Sequence, residues 1–508
     1  MAEIREITTL CKSGKVKDAY ELAKNDLLAS PDYPWLQRAL GWALYYMIKS
    51  DVENGDLDSM VEHIIELKSL ELLSVENDCM IFDNVQFKIA EYVKNHISLT
   101  DIDYSIKLST LFNELKDYCF LPSKGHSYLL QNFMKFEQWS EIADFFDWWN
   151  LDNLMPDDYV PYVNTKGQKM ITLAERAFIA NSKALLKLND AIRIEEFLPK
   201  LDALMSEHEE MMYPGYFYGK LLLSLGNNEN EALKVIIPFA RKKASEFWVW
   251  QLLSDVFNKD EEKQLACLLR AVHCRTQESF LGKVRIKLAN FYINRRQFNF
   301  ARFHIDKVVR CYVSNGWNLP YLINEWIHQP WINVAPSDDN TIIDYQSITN
   351  EILCNGAEEC FAIVTYVDQK SKKMSLIYGD KSRTVLKLRI RATVGDVLRL
   401  HYVKEKDGKI KVLFARKDMQ LPQNIGYAKY IKGIVDKKSD KEFAFLKSAS
   451  TRCFIPPILV KKYSLNNGDV VTSLIAYDFD KKIFRINEGT TKSTVGKILN
   501  IKIFIYIA

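Results

Sequence analysis

Most of the signatures that mark an active site are missing from this chain of 508 residues. The nine cysteines, at 11, 79, 119, 267, 274, 311, 354, 360 and 453, are odd in number and never fall at C-x-x-C spacing. That excludes the common zinc and dithiol motifs and leaves buried, reduced thiols of a cytoplasmic protein. The eight histidines are scattered, and no H-x-x-x-H pair offers a helix face to a metal. There is no Gly-rich phosphate loop and no Ser/His/Asp spacing. The reading is a protein that is not an enzyme, with no catalytic residue, no metal and no cofactor. The adjacent Asp157-Asp158 point in different directions and are expected in a solvated turn. No apolar run approaches the roughly 20 residues that span a bilayer, so no membrane partner is expected. The opening MAEIREITTLCKSGK has charges inside its apolar run and no small-residue cleavage site, unlike a secretory signal.

What is present is the composition of a folded, multidomain chain: 48% hydrophobic and 12% aromatic. The net charge of +3 hides an asymmetry. Residues 358–490 hold 27 Lys/Arg against 15 Asp/Glu, whereas residues 1–357 hold 38 against 50. A basic C-terminal region on an acidic body points to a polyanionic partner. The competing reading is that the basic strands are simply soluble edges.

The clearest internal order lies between 213 and 310. Gly219, Ser254 and Ala289 stand 35 residues apart, and so do Leu222, Phe257 and Tyr292. Ala232, Ala266 and Ala301 follow at steps of 34 and 35. Small residues at two fixed slots let paired helices approach, and the bulky residue three positions on fills the gap between pairs. Near the N-terminus Gly14, Ala19, Pro31 and Gly41 repeat the period. The apolar–small pairs Tyr218-Gly219, Leu253-Ser254 and Leu288-Ala289, with the later alanines, resemble the tetratricopeptide repeat. That resemblance implies an α-solenoid holding a protein partner. It departs from the repeat where Arg296 replaces the turn glycine. An irregular helical bundle is the alternative.

Between 52 and 210 the pattern stays helical without a fixed register, and Trp148-Trp149 are expected in the core. All ten tryptophans precede residue 332. Asn315 to Asp339 reads as a capping helix followed by an extended linker.

After about 355 the apolar period changes to two. Candidate strands are Phe361 to Val367, Met374 to Tyr378, Thr384 to Ile390, Val397 to Val403 and Ile410 to Ala415. A second block gives Ile431 to Asp436, Phe443 to Leu446, Arg452 to Ile455, Val470 to Tyr477 and Ile483 to Ile486. Ala362-Ile363-Val364 aligns with Gly433-Ile434-Val435, and Gly395-Asp396 with Gly468-Asp469. A tandem of two five-stranded units is expected. The organisation is then 1–330 helical repeats, 331–355 cap and linker, 356–420 and 425–490 two OB-like barrels, and 491–508 a short apolar tail.

Lys441-Glu442-Phe443-Ala444-Phe445-Leu446 and Cys453-Phe454-Ile455 resemble the two nucleic-acid-binding strands of the cold-shock type of OB-fold. The resemblance implies that Phe443, Phe445 and Phe454 stack bases, each worth about 1 to 3 kcal/mol. Lys432, Lys437, Lys438, Lys441, Lys447 and Arg452 crowd the same hairpin and would neutralise phosphates. The family tryptophan is absent, with Lys437 near its place, and proline replaces the histidine. In the first unit Tyr378 is the stacking candidate, and Lys387, Arg389 and Arg391 alternate along one strand. Two competing readings put a phenylalanine in the barrel core or give the barrels a small ligand. The expected function is a non-enzymatic adaptor binding single-stranded nucleic acid, RNA by analogy, and a protein partner. The alternative is a pure protein scaffold. Chains that join such repeats to cold-shock-like or S1-like barrels resemble components of bacterial multi-gene systems, some defensive.

Overall fold

A computed structural model describes residues 2–163, 166–226, 229–338, 343–368, 373–378, 382–387, 392, 396–405, 407–418, 428–449, 451–478, 483–485 and 500–501. The architecture is mixed: a helical N-terminal region, then curled antiparallel sheet. The chain divides into two compact units, 1–239 and 240–508.

The first unit is built from α1 (Ala2–Lys12), α2 (Val16–Ala29), α3 (Pro34–Asn54), α4 (Leu57–Lys68), α5 (Cys79–His96) and α6 (Tyr104–Leu115). Then come α7 (Lys124–Phe133), α8 (Ile142–Trp149), α9 (Leu173–Leu188), α10 (Ala191–Glu207) and α11 (Pro214–Ser224). The next helix, α12 (Glu229–Lys242), carries the chain past residue 239. Several helix starts are set by side chains that satisfy orphan amides: Asp56 accepts from Ser59 N, Thr172 from Glu175 N, and Asp190 from Ile192 N and Arg193 N. Gly14 turns the chain between α1 and α2 at φ +82°, where a side chain would be strained. Ala19 on α2 is fully buried. On α11 a Cβ at Gly219 would stand 2.3 Å from Ile236 Cγ1 of α12, which explains the small residue there.

Trp149 is fully buried, stacked on His126 at 4.5 Å, and Trp148 donates its indole N–H to Tyr118 O. Asp157 is exposed, but Asp158 is not the solvated turn residue expected. It is buried, and its Oδ2 accepts from Ser127 Oγ (2.7 Å) and Met155 N (2.9 Å). Those two donors fix a turn against α7, so the carboxylate is structural.

The second unit continues with α13 (Phe247–Val256), α14 (Glu261–Val272), α15 (Gly282–Asn294) and α16 (Phe298–Ser314). Ser254, Ala266, Ala289 and Ala301 are all at most 1% exposed, in the slots the spacing reserved for small residues. Arg296, in the slot that calls for a turn glycine, adopts φ +57°. The backbone demand of that slot therefore persists without the glycine. Helices α17 (Tyr321–Ile327) and α18 (Pro330–Val334) follow. Trp326 and Ile332 pack with Ala289, Ile305 and Val308 and cover the face of α15 and α16. Then α19 (Tyr345–Leu353) leads into the sheets. The stretch expected as an extended linker thus carries α18, which opens on Pro330, and α19, which is capped by Asp344 accepting from Ser347 N.

The first sheet holds β1 (Glu358–Asp368), β2 (Lys373–Tyr378), β3 (Ser382–Lys387), β4 (Val397–Lys404) and β5 (Ile410–Asp418), in the order β3-β2-β1-β4-β5. The second holds β6 (Ala428–Asp436), β7 (Ala444–Lys447) and β8 (Arg452–Ile455). A short helix, α20 (Pro457–Lys462), then β9 (Val470–Asp478), β10 (Ile483–Arg485) and β11 (Asn500–Ile501) complete it. Hydrogen bonding runs from β6 through β7 and β8 to β10, and β10 also pairs β9, which returns to β6. The circuit wraps a core of Val435, Leu446, Cys453, Ile455, Leu459, Val471 and Ile475. Among the described residues no helix is long and apolar enough to cross a membrane.

The aligned segments meet the same backbone contact in each sheet. Val364 N donates to Asp396 O at 3.1 Å, and Val435 N donates to Asp469 O at 2.8 Å. Ile363 faces Val397 across β1 and β4, just as Ile434 faces Val470 across β6 and β9.

Candidate nucleic-acid interface

Alternation along β7 and β8 decides which side chains face out. Ala444, Leu446, Cys453 and Ile455 point inward and are at most 1% exposed. Phe443, Phe445 and Phe454 therefore take the outer face, each half-buried. Phe445 pairs with Phe454 in register, and Phe443 lies two residues before Phe445. The three rings form a triangle: Phe443–Phe454 5.5 Å, Phe443–Phe445 5.8 Å and Phe445–Phe454 5.8 Å between centroids. None turns into the core.

Charge surrounds this patch. The guanidinium carbon of Arg452 lies 4.1 Å from the Phe445 ring centre, within cation–π range. Asp436, which faces Phe445 across β6 and β7, is the hub. Its Oδ2 is 2.7 Å from Lys447 Nζ and 3.4 Å from Arg452 Nη2. The hydrogen bond from Lys447, reinforced by the charges of Lys447, Arg452 and Lys438, holds the Asp436 carboxyl below the usual carboxylate range. Lys441 lies 3.5 Å from Asp440, and the backbone N–H of Lys437 donates to Asn467 Oδ1. Lys432 and Lys438 are exposed and make no ion pair among the described residues. Between 432 and 452 six cations stand against three carboxylates, so the face is basic.

A groove of about 720 Å³ runs alongside, floored by Ile434 and Val470 and flanked by Lys432, Asp436 and Lys447. Gly433 lies under it for a steric reason: a Cβ there would meet Lys447 O at 2.4 Å. Neither the groove nor the Asp436 hub is visible in sequence alone, because both depend on which residues of β6, β7 and β9 are neighbours.

Among the described residues, β2 and β3 of the first sheet do not assemble such a face. Cross-strand register puts Ser375 where Phe445 stands and Val385 where Phe454 stands, and Lys373 takes the place of Phe443. Tyr378 is half-buried against the core of that sheet, its ring 6.2 Å from Tyr402. Ile363, Ile377 and Val397 are at most 1% exposed, whereas their counterparts Ile434 and Val470 are 55% and 46% exposed. Lys387 ends β3, and Arg389 and Arg391 lie outside the described residues.

Among the described residues no group of three His, Cys, Asp or Glu is placed to hold a metal. Comparison with known families gives two matches. Residues 212–351 match a domain of unknown function (DUF7017). Residues 429–483 match S1/CSD-like domain 2 of the TOTE conflict systems, and the second sheet is similar to that domain. No curated protein matches the chain.

Proposed function

We propose that the chain is a non-enzymatic adaptor of a conflict system. Its second β unit, an OB-type barrel, binds single-stranded nucleic acid, with RNA the preferred strand. The observation that carries this reading is the outward triangle of Phe443, Phe445 and Phe454 with Arg452 over one ring, on the segment matched to an S1/CSD-like domain. Flat rings accept any unstacked base, and the surrounding lysines accept the phosphates between bases. Preference for RNA follows from the family analogy and from the accessibility of unpaired RNA bases. The first sheet, whose corresponding positions carry Lys373, Ser375 and Val385, lacks the three-ring platform among the described residues, so the second unit is the main site in this reading.

The helical region is the partner-holding part, read as a tetratricopeptide-like array. Buried small residues at Gly219, Ser254 and Ala289, spaced 35 apart, support that reading. The full chain titrated with a labelled single-stranded RNA tests the proposal. Salt-sensitive binding that falls in the Phe443→Ala, Phe454→Ala double variant is expected. Salt-insensitive binding, or binding the double variant retains, overturns it.

A further inference from the structure

Within the unit 1–239, a cleft of about 400 Å³ opens between α8, α9 and α10. Its walls include Phe146, Leu151, Leu185 and Phe197. Asn181 of α9 lines it, is only 6% exposed, and its amide oxygen accepts no hydrogen bond. A buried carbonyl oxygen without a donor is costly, and native folds seldom leave one unless something arrives to fill it.

The rim of the cleft is anionic. Arg193 is already engaged: its Nη2 is 2.8 Å from Asp144 Oδ1, and its Nε is 3.4 Å from Asp147 Oδ2 and 3.8 Å from Asp190 Oδ2. Lys200 donates to Asn150 Oδ1 (2.9 Å) and Asp152 Oδ2 (2.7 Å). Glu196 is exposed and has no ion pair among the described residues. Asp144, Asp147, Asp152, Asp190 and Glu196 therefore stand against two cations, an excess of three negative charges, and Glu196 is the one of the five with no ion pair among the described residues. Partial burial holds the Asp147 carboxyl above its ordinary range in spite of Arg193. Asn181 Oδ1 lacks a donor, and the net charge around the cleft is negative.

We propose that this cleft receives a lysine or arginine side chain of a polypeptide partner, the aliphatic stem lying along the phenylalanine and leucine walls and the cationic tip reaching Asn181 Oδ1 and Glu196. Long cationic side chains suit such a place because the stem is apolar and only the tip needs donors' partners. The volume falls within the range of ligand-sized pockets. A water molecule could satisfy Asn181 alone, but it would not use the apolar walls or the excess negative charge.

The inference rests on the reading of the helical region as partner-holding, and the test separates the two. The full chain is titrated with a fluorescein-labelled pentapeptide bearing a central lysine, and with the same peptide bearing arginine, norleucine or glutamate. Lysine or arginine should bind at least about tenfold more tightly than norleucine, and glutamate should bind worst. Glu196→Lys, on an exposed position, should abolish the cationic preference without changing the melting temperature. Asn181→Leu should reduce lysine to the norleucine level. Equal binding of lysine and norleucine removes the cation site while leaving a peptide-binding helical region. A preference for glutamate, or no binding of the lysine and arginine peptides, overturns the site outright.

Discussion

Replacing Asp436 by Asn should strengthen nucleic-acid binding, an unusual direction for a change in a binding face. The carboxylate holds Lys447 at 2.7 Å and Arg452 at 3.4 Å on the outer face of the second sheet. In the free protein those two cations are partly neutralised, and Lys432, Lys437 and Lys438 have no ion pair among the described residues. An amide has no charge with which to hold them. Each phosphate contact on a single strand contributes about 0.7 to the slope of log affinity against log salt. Two newly released contacts should therefore steepen the slope by about 1.4. Between 1 M and 0.15 M salt that corresponds to roughly fourteenfold in affinity. Ion pairs this exposed contribute little to stability, so the melting temperature should hardly move. Fluorescence anisotropy of a labelled single-stranded RNA, measured across a salt series for both proteins, reads the slope directly. An unchanged slope would mean that Lys447 and Arg452 do not face the phosphates. A weaker complex would mean that Asp436 itself accepts a hydrogen bond from a base.

Three further outcomes follow from the same geometry. Phe443→Ala or Phe454→Ala alone should weaken RNA binding by about 1 to 3 kcal/mol, roughly five- to 150-fold, while Tyr378→Ala in the first sheet should leave the affinity unchanged; anisotropy titrations compare them. Gly219→Ala places a Cβ 2.3 Å from fully buried Ile236, so overpacking of about 1 to 3 kcal/mol should exceed the roughly 1 kcal/mol of helix propensity gained; thermal melts should show a lower midpoint, partly restored by Ile236→Val. Burial pushes His126 down to about 4 and His304 down to about 3, both below the ordinary 6.5. Between those values and 6.5 the unfolded chain binds more protons, so stability is full above pH 6.5 and falls as pH drops toward 4, by about 3 kcal/mol for His126 alone. Urea melts of wild type and His126→Phe across that range should converge at low pH.

The readable parts of the sequence were those where local pattern and tertiary demand coincide. Period-two alternation finds strands at all ten candidate positions within the described residues, with 388–390 and 486 of two of them lying outside those residues. The small residues at Gly219, Ser254 and Ala289 are legible because close helix contact tolerates nothing larger. Local pattern failed where a contact is made far along the chain. Asp158 looks like a turn residue until Ser127, 31 positions earlier, is brought to it. Asp436 looks like one more surface acid, and only the cross-strand register makes it the neighbour of Lys447. Tyr378 has the right chemistry for stacking, but its place is against the core of the first sheet.

The two sheets together show why a fold is a poor guide to which copy of a pattern has the job. Their aligned strands make the same backbone hydrogen bond and the same cross-strand pairs. The backbone of these aligned segments does not separate a reader from a spacer, so the comparison turns on the side chains of the outer face. There the first sheet presents Lys373, Ser375 and Val385, and its apolar positions Ile363, Ile377 and Val397 are at most 1% exposed. The second presents three phenylalanines, and the matching Ile434 and Val470 are open to solvent at 55% and 46%. An apolar surface that is covered in one sheet and open in the other is already satisfied in the first and still available in the second. Grafting phenylalanine at Lys373, Ser375 and Val385 should therefore fail to create a second RNA site of equal strength, because Ile363, Ile377 and Val397 leave no open groove beside it. Two equal sites by titration stoichiometry would show that the rings alone suffice.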